Sequence, residues 1–123
     1  MKHLIIILVI LAIVLSSIFT EQFLVNSIFD ELYLRSTKCL EEIKSEEVLG
    51  ELEKLDDWWH EKRRILCAVI SHNDIKDIDN RFPLIIEYLR NGNIEDSMAE
   101  LKTVIHLSRT VPAAYRLAPE NVL

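Results

Sequence analysis

Glycine and proline are scarce, with two glycines and three prolines in 123 residues. Gly50 is the first glycine and Pro83 the first proline. Nothing in the first 49 residues therefore obliges a helix to stop. Two glycines are also too few to build a phosphate-cradling loop. The only cysteines are Cys39 and Cys67, which excludes a disulfide-stapled scaffold and any CxxC pair. Basic charge is short as well. There are 14 Lys and Arg against 20 Asp and Glu, a net charge of −6, and the one basic run is Lys62-Arg63-Arg64. Such a chain repels phosphate backbones, so no nucleic-acid partner is expected. Strand alternation, internal repeats, HExxH pairs and Ser/His/Asp patterns are all missing. The sequence reads as a non-enzyme with no catalytic residues and no cofactor.

What the chain does have is apolar residues, and they are unevenly placed. Leu4 to Thr20 carries no charge and is nearly all Ile, Leu and Val. At ~1.5 Å per residue it is close to the shortest helix that spans a bilayer. A cleaved signal peptide is the alternative, but Val14-Leu15-Ser16 is a poor cleavage site and no A-x-A occurs. An uncleaved anchor over residues 1–20 is the preferred reading. Lys2 precedes the run, while Glu21, Asp30 and Glu31 follow it before Arg35. That asymmetry predicts a single-pass cell-membrane protein with its N-terminus cytoplasmic and its domain outside.

Beyond the run, steps of three and four continue. Phe23, Leu24, Ser27, Ile28, Glu31, Leu32 and Arg35 prolong the first helix to about Lys44, with a turn between 44 and 50. A second helix runs from about Gly50 through Trp58 and Trp59. Folded back antiparallel, it would reach the membrane near residue 76, yet Asn73 to Arg81 is too polar for lipid. A bend or break is therefore expected between His72 and Pro83. Gly92 suits a left-handed position after a helix, and Asn93 with Asp96 suits the cap of the next. The last helix should end before Pro112. The expectation is an all-α fold: a transmembrane helix continuing into an antiparallel bundle of three or four helices. The bundle would cover 21–111, followed by an irregular tail over 112–123 whose Tyr115, Leu117, Val122 and Leu123 dock on the bundle.

His72, Asp79 and His106 form the one histidine–carboxylate constellation. Counting outward from the Gly92 turn puts His106 beside Asp79, with His72 two turns away on the same face. Imidazole with carboxylate suits a transition metal, which would make a small ligand- or metal-binding sensor. The preferred reading is structural, with Asp79 accepting a hydrogen bond from His106. Trp58 and Trp59 point about 100° apart, so one is expected in the core and the other at a rim or partner surface. Lys62-Arg63-Arg64 is expected on a solvated face, paired with Asp56, Asp57 or Glu61. With the first and second helices antiparallel about a turn near residue 48, Cys67 lies ~13 Å along the axis from Cys39's level, too far for a disulfide. Both thiols are expected to be buried.

The order of several short motifs resembles a family of small bacterial proteins of unknown function, found mostly in Firmicutes. The residues that carry it are the apolar start, Trp58-Trp59, the run His72-Asn73-Asp74-Ile75 to Ile78-Asp79, Gly92-Asn93, His106, and Glu120-Asn121-Val122-Leu123. The resemblance implies membrane attachment and an all-helical fold, and no known reaction. On these grounds the expected role is structural, an anchored helical protein that binds another membrane or envelope protein.

Overall fold

The computed structural model describes residues 1–115, all of whose regular structure is helical. Four helices follow one another: α1 (Lys2–Glu41), α2 (Val48–Leu66), α3 (His72–Arg90) and α4 (Ile94–Ala114). Each packs on two neighbours, α1 on α2 and α4, and α3 on α2 and α4. Successive helices run antiparallel. Arg90 of α3 meets Glu53 of α2, and Arg109 near the end of α4 meets Asp30 of α1.

α1 is a single helix of 40 residues, about 60 Å long. Its first half projects from the bundle, with Leu4 to Leu15 exposed. It is long and apolar enough to cross a membrane. Burial begins at Val25 and continues through Ile28, Phe29, Leu32, Ser36 and Cys39. Those steps of three and four are one face of the helix. The other helices supply Leu52, Leu55 and Trp59, then Ile75, Ile78, Phe82 and Ile85, then Leu101 and Val104, all fully buried. Burying each large side chain of this kind contributes about 1.5–3 kcal/mol.

The joints differ in how closely they follow expectation. Gly92 has φ +76°, the left-handed conformation that favours glycine. Asn93 caps α4, accepting from the Asp96 N–H while its own amide donates to the Asp96 carboxylate. The first turn, residues 42–47, begins earlier than expected because α1 stops at Glu41. Ile43 is buried there, and Ser45 accepts from the Glu47 N–H.

The break expected between His72 and Pro83 comes sooner, at residues 67–71. Ile70 plugs into the core, and Ser71 is extended with ψ 131°. Pro83 lies inside α3 on its exposed side, where water can serve the carbonyl it leaves unpaired. The last helix likewise passes through Pro112 to Ala114. Val111 and Pro112 are both buried, and this packing overrides the local bias against helix before proline. Tyr115 packs against the core, while Leu117, Val122 and Leu123 lie outside the described residues.

Candidate functional site

The polar centre of the bundle lies between α2 and α3, and its residues follow from helical spacing. Trp59 and Arg63 are four apart on α2, so they share a face. Asp79 faces them from α3. The Trp59 indole N–H donates to Asp79 Oδ1 at 2.6 Å, and Arg63 Nε donates to the same oxygen at 3.0 Å. A second guanidinium nitrogen of Arg63 lies 2.8 Å from Asp79 Oδ2. The carboxylate thus takes a two-pronged arginine and an indole, and charge-assisted bonds of this kind are the strong ones. Trp59 is completely buried and its ring lies 6.0 Å from Phe29, tilted by 58°.

This overturns two expectations. Asp79 is held by Trp59 and Arg63, and His106 is exposed on α4. Arg63 leaves the solvated run to join that pair across the helix interface. The physical reason is the early break at 67–71, which brings α2 back along α3 and presents donors to Asp79 from that side. His72 is exposed at the start of α3. Among the described residues no group of three His, Cys, Asp or Glu side chains comes together as a metal site would require. The signal for the break was present in Ser71-x-x-Asp74, a helix-start pattern.

The tryptophan pair divides as its 100° offset demands. Trp59 has no surface to offer a partner. Trp58 is partly buried, with the Arg35 guanidinium 5.2 Å from its ring centre, a cation–π arrangement. The cysteines also divide. Both are free, Cys39 buried and Cys67 exposed, which corrects the expectation that both are buried. Burial, followed by the nearby Glu51, pushes the Cys39 thiol up to about 11. It is an inert core residue.

An acidic groove between α2 and α3 is lined by Glu53, Asp56, Asp57 and Glu87, with Arg90 and Pro83. Arg90 pairs with Glu53 at 2.8 Å. Asp56 is raised above the ordinary carboxylate value, first by burial, and the Asp57 charge adds to this against the opposing effect of His60. His60 Nδ1 lies 2.9 Å from the Asp56 backbone carbonyl and 3.0 Å from its Oδ1. One proton cannot serve both well, and Oδ1 is buried with no hydrogen bond.

Outside the core, one side of α1 is left exposed among the described residues, apart from Asp30, which pairs with Arg109 of α4. Phe23 is 72% exposed and Leu34 65% exposed. They are three turns apart on one stripe, directly opposite Val25 and Leu32. A shallow groove along this side takes in Phe23, Ser27, Asp30 and Leu34. Ala12 and Ser16, in line with the stripe, border another groove nearer the N-terminus.

The class defined by this geometry is an all-α four-helix bundle carried on an extended apolar N-terminal helix. Residues 19–122 match the family model described as "Domain of unknown function (DUF4363)". The chain belongs to that family. The match begins at the foot of the apolar run and takes in the whole bundle. Comparisons with curated proteins and with solved structures find no match.

Proposed function

We propose that this protein is a single-pass, membrane-anchored interaction module without enzymatic activity. Its bundle stands outside the cell membrane, its N-terminus is cytoplasmic, and it binds another membrane or envelope protein along the outward side of α1. The observation that carries this reading is the exposure of Phe23 and Leu34 on a helix whose opposite side is fully packed. Two large apolar side chains on one stripe are the kind of anchors that interfaces bury. The stripe continues downward through Ser16 and Ala12, small residues of the sort that let helices approach closely in lipid. A partner helix rising from the same membrane would therefore meet one continuous face.

The test is site-specific photo-crosslinking in native membranes. Crosslinkers at Phe23 and at Leu34 should give a discrete protein adduct, while one at Lys102, exposed on α4, should not. Absence of any protein adduct from both α1 positions would overturn the reading. For the orientation, Ser45→Cys in a background carrying Cys39→Ala and Cys67→Ser should react with an impermeant maleimide added outside intact cells.

A further inference from the structure

One end of the bundle lies level with the apolar run itself. A small cavity of about 140 Å³ is lined by Ile18, Glu21, Gln22, Val25, Val69 and Tyr115. Ile18 belongs to the uncharged run, whereas Val69 sits in the α2–α3 connection and Tyr115 ends α4. The Tyr115 hydroxyl accepts from the Ser71 N–H at 2.8 Å and lies 3.4 Å from Asp74. Gln22 donates to the Tyr115 carbonyl at 3.1 Å. The connection is thereby tied to α1 at the height of residues 18–25.

The composition of this end fits a lipid surface. Cys67, Ala68 and Val69 are exposed in succession, with Val69 at 38% and Ile65, one turn earlier, at 46%. Arg64 is exposed beside them, and Tyr115 has the apolar body and polar tip typical of the membrane–water boundary. α1 is unbroken through this region, so no hinge separates the run from the bundle.

We infer that the end of α2 and the start of the α2–α3 connection (Ile65 and residues 67–69), together with Tyr115, form a foot that rests in the headgroup layer of the membrane that holds α1. The inference rests on the anchor reading above. The foot makes the bundle stand at a fixed height and tilt, because it adds a second contact to the single helix.

The experiment uses the full chain in vesicles of phosphatidylcholine and phosphatidylglycerol. An environment-sensitive fluorophore is placed on the native Cys67 in a Cys39→Ala background. In a background that also carries Cys67→Ser, it is placed at Ser16→Cys or at Ser45→Cys. Quenching is read with nitroxide lipids labelled near the headgroup or deep in the acyl chain. Cys67 should be quenched by the shallow nitroxide and Ser16→Cys by the deep one. Ser45→Cys, over ~30 Å away at ~1.5 Å per residue, should be quenched by neither. Quenching at Ser16→Cys with none at Cys67 would overturn the foot and leave the anchor standing. No quenching at Ser16→Cys would overturn the anchor, and the foot with it.

Discussion

Trp59 and Asp79 are joined by a 2.6 Å hydrogen bond between α2 and α3, which makes the largest fully buried side chain answer to a carboxylate. Asp79 is 16% exposed and its second partner, Arg63, is 26% exposed. Replacing Asp79 with Ala would leave an indole N–H and a guanidinium both largely out of water and unpaired. The expected loss is about 2–4 kcal/mol, below the full figure for a completely buried pair because both groups retain some solvent. Urea unfolding followed by tryptophan fluorescence measures it. Combining Asp79→Asn with Arg63→Met should cost less than the two changes separately, with a coupling of about 0.5–3 kcal/mol. Additive losses would mean that the pair contributes little.

Periodicity made the core legible, because burial follows helical spacing directly. Ile28, Leu32, Trp59, Ile78 and Leu101 all lie on stripes that three-four counting picks out. The Gly92–Asn93 joint was legible because a left-handed residue and a capping side chain have local causes. Pro112 was misleading for the converse reason. Its local bias is real, but burial of Val111 and Pro112 outweighs it. Asp79's partners were hidden because they depend on where α2 ends, which selects the neighbouring helix the carboxylate faces. The exposed pair Phe23 and Leu34 had its spacing in plain view, yet only the packing of α4 on α1 shows which side is left bare.

Ser36 sits on the buried face of α1, with no exposure and no hydrogen-bond partner for its hydroxyl. A buried hydroxyl without a partner carries a desolvation penalty of ~1–3 kcal/mol, and Ala has the higher helix propensity. Ser36→Ala should therefore be neutral or stabilising, by up to about 1 kcal/mol once the small loss of packing is counted. Thermal unfolding of the two proteins decides it. A drop of several degrees in Tm would mean that the hydroxyl makes a bond this arrangement lacks.

The two thiols should react in sequence. Cys67 is exposed in the connection, and Cys39 is buried with its pKa pushed to about 11. Near neutral pH a thiol-specific reagent should modify Cys67 rapidly, and Cys39 only after denaturant opens the bundle. Mass spectrometry of the modified peptides reads the order. Equal rates at both sites in the native protein would place Cys39 outside the core. Under oxidising conditions an intramolecular Cys39–Cys67 bridge should not form.

Asp56 gives the pH dependence its sign. Burial raises its pKa above the ordinary value of 3.8, so the folded protein holds this proton more tightly than the unfolded chain does. The charged form is the one the fold disfavours. Stability from this residue is therefore greatest below 3.8 and is lost as pH rises from there through the raised value. Asp56→Asn removes the charge and keeps the shape. It should raise the Tm at neutral pH, and the advantage should shrink as the solution is acidified towards 3.8. His60 works in the opposite direction, because it lowers the Asp56 pKa. In a His60→Ala background the benefit of Asp56→Asn should accordingly grow. Melting curves of wild type, both single variants and the double variant across this pH range test the pair of effects. A lower Tm for Asp56→Asn at neutral pH would show that the carboxylate is held by favourable bonds and that burial is not what governs it.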